Sequence, residues 1–320
     1  MLDEEPEAPA GGAQSECHRG IFTITGPIPS QLQWRDMTYQ PVRGNVWTVS
    51  EGVNRSILIE GTKGLIAFDT FGSPGAATAY RVAVSRIFPD KPVHTVVYSH
   101  DHLDHTGYAS DFAPDARVIA HELTNNVVKA RKSDGQVPAH EVWSGERKEF
   151  EIDGVRFEMI YPGPTHGDGN SAAYFPDLKL LFMVDTVIPG VGYTFLPDWH
   201  LAPYIPVVKR LLTLEWDLYV PGHFWLLDRE GFRENIRVYE SLAECAQRAL
   251  EEGVDVEDLR EVTRYAHDRL APQWAGQFRF VEYSGMNLLR YLWHYLQGGW
   301  GLEGNFQASR APLGPVSPEA

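Results

Sequence analysis

The chain has 320 residues, an ordinary apolar fraction of 43%, a charged fraction of 22% and a formal net charge of −15 at pH 7. That length fits one domain of about 200–250 residues with extensions. The acidity excludes nucleic acid and anionic membrane as expected partners, because phosphate binding needs clustered Lys and Arg.

Residues 1–20, rich in Glu, Pro, Ala and Gly, read as a disordered acidic tail. This start lacks the apolar run of a signal peptide, and no apolar stretch approaches the ~18 residues of a membrane span. The two cysteines, Cys17 and Cys245, lie far apart, which excludes a disulfide framework and favours a reducing compartment. A cytoplasmic protein is therefore expected.

Residues 45–70 hold three short apolar runs separated by glycine-containing turns, the pattern of an antiparallel meander. A helix follows, with Tyr80, Val84 and Ile87 on one face and Pro89 as its stop. "VHTVVYSH" and "ARVIAHE" read as buried strands. Two hairpins are predicted, one turning at Asp153-Gly154 and one at Pro176-Asp177. After "DLYVPGHF" the pattern becomes helical. Phe232, Ile236, Tyr239, Ala243, Ala246 and Leu250 share a face that ends at Gly253. A further helix is expected from Asp255, burying Leu259, Val262, Ala266 and Leu270, and then an aromatic helix "GMNLLRYLWHYLQGG". Residues 308–320 read as a second tail. Sheets packed on each other with helices outside are the expected architecture.

The string "SHDHLDH" carries the chemistry. In extended backbone, residues two apart point the same way, so His100 and His102 can meet one cation. Asp104 and His105 turn toward a second point if a helix starts there. Given 12 histidines in 320 residues, the spacing H-x-H-x-D-H arises by chance in roughly one such chain in a thousand, so it is a motif to be explained. Asp101 and Leu103 are spacers, with Asp101 facing solvent or a partner of the ligands. Four residues cannot fill two metal sites. His166, Asp185 and His223, each where a predicted strand ends, are the candidates to complete them. A carboxylate closing a strand as apolar as "LKLLFMVD" is costly unless paired or ligated.

The order H-x-H-x-D-H, then His, then Asp, then His resembles the metallo-β-lactamase-fold hydrolase superfamily over roughly residues 42–250. The resemblance implies an α/β fold, a four-layer αββα sandwich with a dinuclear, usually zinc, site at one edge of the sheets. The catalytic domain is expected over residues 21–253, followed by a helical extension over 254–307. It implies His100, His102 and His166 around the first metal and Asp104, His105 and His223 around the second. Asp185 would bridge both, and Asp69 would order the metal loop without binding. Iron, manganese or cobalt would suit the same donors.

A hydroxide bridging two cations is nucleophilic at neutral pH, so the expected activity is hydrolysis of a small, fairly apolar ester, lactone or amide. Asp104 and Asp185 would serve it, Asp104 by orienting the water or moving its proton, and Tyr193 by donating to a developing oxyanion. Phe195, Trp199, His200, Tyr204 and Trp225 are candidates for the pocket wall. Two other activities fit the same first motif, an iron-dependent persulfide dioxygenase and a glyoxalase II-like thioesterase, though the basic patch in the C-terminal helices on which their glutathione site relies is not evident. Cys245 reads as a small packing residue. The aromatic C-terminal segment is expected to pack on the sandwich, to form a homodimer contact or to cover the pocket.

Overall fold

The computed structural model describes residues 37–299; both predicted tails, Cys17 and residues 21–36 lie outside that range. In chain order the strands β1 (Thr38–Arg43), β2 (Val46–Ser50), β3 (Arg55–Glu60) and β4 (Leu65–Phe68) form an antiparallel meander. Helix α1 (Pro74–Ile87) crosses over to β5 (Val93–Val97), which lies parallel to β4. The short helices α2 (Leu103–Thr106) and α3 (Ala109–Phe112) lead to β6 (Arg117–His121), then α4 (Glu122–Arg131) and β7 (Glu141–Trp143), again in parallel. The first sheet is thus ordered β1-β2-β3-β4-β5-β6-β7.

The second sheet begins with the hairpin β8 (Arg147–Ile152) and β9 (Val155–Ile160), followed by β10 (Ala172–Phe175) and β11 (Leu180–Met183). Helix α5 (Leu201–Leu211) carries the chain to β12 (Leu218–Pro221), parallel to β11. Its order is β12-β11-β10-β9-β8. Three helices end the described chain: α6 (Arg229–Glu251), α7 (Leu259–Trp274) and α8 (Phe280–His294).

The two-residue period of the strands divides the core. Ile57 and Ile59 of β3 and Ile66 and Phe68 of β4 face Phe157, Phe175 and Phe182 between the sheets, where Phe68 meets all three rings edge-on. Their neighbours Leu58, Leu65 and Ala67 turn outward to Tyr80, Ala83 and Val84 of α1. In β11, Leu180 and Phe182 point between the sheets, whereas Leu181 and Met183 face α5 and α6. Both faces of the central strands are covered, hence their unbroken apolar runs. The result is four layers, helix–sheet–sheet–helix, as expected from the resemblance.

Two local expectations change. The helix expected from Asp255 begins at Leu259 behind the cap Asp258, whose side chain accepts from the amides of Arg260 and Glu261. In the first turn of α7, Leu259 is exposed, while Val262, Ala266 and Leu270 are buried as expected. The aromatic helix starts earlier than anticipated, at Phe280, and ends in a turn of π-helix, Tyr295–Gly299. Phe280, Leu288, Tyr291, Leu292 and Tyr295 are buried in one cluster with α5, α6 and α7. That packing accounts for most of the aromatic surface that raised the alternatives of a dimer contact or a lid.

Candidate metal centre

Five strands deliver polar residues to one edge of the sandwich, each from its C-terminal end. Asp69 follows β4, the H-x-H-x-D-H loop follows β5, His166 follows β9, Asp185 follows β11 and His223 follows β12. The strand ends are where backbone hydrogen bonding lapses and side chains converge from both sheets. Asp69 and Asp185 sit at positive φ, 67° and 53°, the left-handed region that a side chain other than glycine adopts at some cost.

The seven predicted ligands fall into two groups sharing one residue: His100, His102, His166 and Asp185, and Asp104, His105, Asp185 and His223, each with its donor atoms within 4.8 Å of one another. In the first, His166 Nε2 lies 2.9 Å from His102 Nδ1, and Asp185 Oδ2 lies 3.4 Å from His166 Nε2 and 3.5 Å from His100 Nε2. In the second, His105 Nε2 lies 3.1 Å from His223 Nε2, 3.4 Å from Asp104 Oδ2 and 3.3 Å from Asp185 Oδ2. The other Asp185 oxygen, Oδ1, meets His223 Nε2. The helical start at Leu103 separates the pairs, because it swings Asp104 and His105 away from the direction of His100 and His102.

These donors fit a cation better than a hydrogen-bond network. The one Nε2 of His105 faces three partners at hydrogen-bond range, and a single proton cannot bridge them all. The buried His100 Nε2 has only Asp185 Oδ2, 3.5 Å away, as a partner, and Asp185 Oδ1 is held by His223 Nε2 alone without good hydrogen-bond geometry, an expensive arrangement for groups withdrawn from water. Donors around one tetrahedral ion, each at 2.0–2.1 Å, would stand about 3.3 Å apart, and the observed separations bracket that value.

Electrostatics agree. Burial disfavours the His105 imidazolium, yet Asp185 and Asp104 outweigh it and hold its pKa up to about 10. Burial likewise opposes the Asp185 carboxylate, but His223 and His105 keep it ionised. A site that traps a proton this firmly has the negative potential that a divalent cation requires. At His100, burial outweighs the pull of Asp185 and lowers the pKa to about 4, so it is neutral and able to ligate.

A second layer orients the donors. His100 Nδ1 meets Ser99 Oγ at 2.8 Å, and Asp69 accepts from both the Ser99 hydroxyl (2.7 Å) and the Ser99 amide (2.8 Å). Asp69 therefore orders the metal loop, as the resemblance implied. Asp198, at 3.1 Å from His102 Nε2, leaves Nδ1 as the atom turned inward. Asp101 is buried, contrary to a solvent-facing spacer, because Arg131 of α4 pairs with its carboxylate and carbonyl. Gln136 ties the Asp101 carbonyl (2.9 Å) to the Thr106 hydroxyl (2.8 Å).

The pocket candidates separate. The Tyr193 hydroxyl lies 2.9 Å from His223 Nδ1 and 3.4 Å from Nε2, at the rim of the second group. Trp199 is buried with its ring edge-on to His166, and Phe195 is exposed. His200 lies on the outer side, 3.7 Å from Asp168. Tyr204 is a core residue, not a pocket wall: its hydroxyl donates to the Thr186 carbonyl at 2.6 Å and its ring packs on Tyr239. Trp225 packs against Phe278, just before α8. The same segment grips the Tyr193 loop, since Asn287 donates to the Val191 carbonyl at 2.7 Å and Val191 N–H donates to the Phe278 carbonyl at 3.3 Å.

Ser99, Asp198, Arg131 and Glu51 escaped the sequence reading. Glu51 alone carried a signal of the kind used for Asp185, an acid closing an apolar strand before glycine. The other three sit in ordinary loop or helix contexts, and only the fold brings them to the centre.

The metallo-beta-lactamase superfamily model matches residues 49–223. The chain is 49% identical to the 2,4-dinitroanisole O-demethylase subunit alpha of Nocardioides sp. (strain JS1661), over 99% of this chain and 98% of that one. It is 36% identical to the beta subunit from the same strain, over 84% and 85% of the two chains. Among solved structures, the stereoselective inverting sec-alkylsulfatase Pisa1 from Pseudomonas sp. aligns with a TM-score of 0.60 at 17% identity, covering 84% of this chain and 51% of that one. At that identity the likeness concerns fold alone.

Proposed function

The chain belongs to the metallo-beta-lactamase superfamily, and on that footing we propose that it is the catalytic subunit of a metal-dependent O-demethylase that hydrolyses a nitro-activated aryl methyl ether. The observation that carries the reading is one carboxylate, Asp185, shared by two four-residue donor groups, in a chain similar over nearly its full length to a demethylase subunit. The substrate class changes from the ester, lactone or amide expected from sequence, because both demethylase relatives are named for an ether.

The chemistry stays close to ester hydrolysis. An alkoxy-bearing ring carbon made electron-poor by nitro groups reacts with hydroxide much as an ester carbonyl does. The nitro oxygens take the charge that a carbonyl oxygen would take, and alkoxide leaves. Water and the methyl ether give the phenol and methanol, with no oxidant needed.

Two divalent cations held by the two groups would lower the pKa of a bound water from about 15.7 to about 7 and polarise a substrate oxygen. Zinc suits the nitrogen and oxygen donors, as do iron, manganese and cobalt. Asp104, the one exposed donor, stands where water enters and takes its proton. Asp185 holds the two groups in register. The Tyr193 hydroxyl, which burial keeps protonated, donates to the charge developing on substrate, and Phe195 and Trp225 would offer the substrate apolar contacts. The C-terminal helices keep that loop in place. A second, related chain is the partner this reading favours, since the relatives are named as alpha and beta subunits.

The test is turnover of 2,4-dinitroanisole, an aryl acetate, a lactone and a β-lactam by metal-loaded protein in oxygen-18 water, with oxygen uptake recorded. We expect labelled 2,4-dinitrophenol, methanol and no oxygen uptake. Preferred turnover of the acetate or lactone would return the substrate to the ester class. Oxygen uptake by an iron-loaded enzyme would refute hydrolysis. Unchanged turnover in Tyr193→Phe would remove Tyr193 from the mechanism.

A further inference from the structure

We propose that Glu51 is a further catalytic residue, the acid that protonates the alkoxide leaving the substrate; this rests on the ether-hydrolysis reading above. Glu51 sits in the turn between β2 and β3, and that turn is a rigid part of the metal edge. Ser50 Oγ accepts from Gly52 N–H at 3.0 Å and donates to the Asn54 carbonyl at 2.9 Å. The Val53 carbonyl meets His223 Nδ1 at 3.0 Å, and Asn54 Nδ2 reaches the Asp104 carbonyl at 3.3 Å. Glu51 is thereby held beside the second donor group without belonging to it.

Its carboxyl is half satisfied. Oε1 accepts from Asn54 Nδ2 at 2.8 Å, while Oε2 is buried with no hydrogen-bond partner among the described residues. A lone buried carboxylate oxygen is costly, whereas a protonated one is a donor waiting for an acceptor. The charges that act on it, His105 and Asp104 of α2, belong to the site, and Glu51 in turn acts on the Tyr193 hydroxyl in the loop after β11. Burial raises its pKa to about 8, against the opposing pull of His105 and Asn54. Cations in the site would lower it from there toward neutrality, where a general acid works best.

The step balances. Collapse of the hydroxide adduct breaks the bond from ring carbon to methoxy oxygen, and the electron pair leaves on that oxygen. The Glu51 proton passes to it and makes methanol. The new dinitrophenol is a strong acid for a phenol, and it returns its own proton to the Glu51 carboxylate. Methoxide is a basic leaving group, so its departure is the event that gains most from an acid.

The experiment compares wild type, Glu51→Gln and Glu51→Asp on the methyl and trifluoroethyl ethers of 2,4-dinitrophenol. Gln keeps the oxygen that accepts from Asn54 and cannot donate an acidic proton. We expect Glu51→Gln to lose about 100-fold or more in kcat on the methyl ether, much less on the trifluoroethyl ether, with metal content unchanged. Glu51→Asp should recover part of the loss. Independently of turnover, the infrared carboxyl C=O stretch of metal-free wild type at pH 7 should disappear in Glu51→Gln. Equal losses on both ethers, or no loss, would overturn the assignment. If wild type cleaves only esters, the substrate reading falls on its own; the same pair of alcohols as acetates then tests Glu51, with the same selective loss expected and equal losses overturning it.

Discussion

Asp185→Asn replaces one carboxylate oxygen with an amide nitrogen and removes the negative charge, at the only residue common to both donor groups. Asp185 Oδ2 lies 3.3 to 3.5 Å from three histidine nitrogens, His105, His166 and His100. The substitution therefore weakens both sites at once. Losing a partner that merely orients a ligand costs 10- to 100-fold in affinity, so a lost ligand should cost at least about 100-fold. For wild type, metal at 100 times its Kd stabilises the fold by about 2.7 kcal/mol, which for a chain of this size raises Tm by about 4–5 °C. At the same metal concentration the variant would sit near its own Kd and gain only about 0.4 kcal/mol, close to 1 °C. The assay is a thermal melt across a metal titration, paired with elemental analysis after gel filtration. We expect two metal ions per wild-type chain and at most one in the variant. Two retained ions with the full thermal shift would refute the shared-ligand geometry.

Asp198→Ala frees His102 Nε2 and should weaken metal binding 10- to 100-fold; calorimetric titration reads it. His100 has a folded pKa of about 4 against 6.5 for the free side chain. Its neutral form therefore stabilises the metal-free fold above pH 6.5, and about 3 kcal/mol is lost as pH falls toward 4. Urea midpoints between pH 7.5 and 5 should fall less steeply in His100→Asn, and an unchanged slope would contradict the burial argument. Asn287→Ala leaves the Val191 carbonyl unpaired at the base of the Tyr193 loop. It should cost about 1–3 kcal/mol and lower kcat without altering metal content. Phe68→Ala, at the meeting of three other phenylalanines between the sheets, should destabilise by about 3–5 kcal/mol in chemical denaturation.

Local chemistry was legible in the chain alone. The spacing of His100, His102, Asp104 and His105 follows from how extended and helical backbone direct neighbouring side chains, and those rules act within a few residues. The strand-end positions of His166, Asp185 and His223 were legible for a similar reason: a polar group closing an apolar strand must be satisfied by something. The two-residue and 3.6-residue periods placed most of the elements, including both hairpins and the buried face of α6. Other features depend on residues distant in sequence. Strand order decides that β4, β5, β9, β11 and β12 end at one edge, and so which histidines share Asp185. The burial of Asp101 depends on Arg131 arriving from α4, and the fate of Tyr204 on Tyr239 from α6. Glu51 shows the division most plainly. That an acid follows directly after β2 can be read from the chain, whereas its burial beside His105 and Asp104 comes from the assembled fold, because desolvation and charge are properties of the whole neighbourhood.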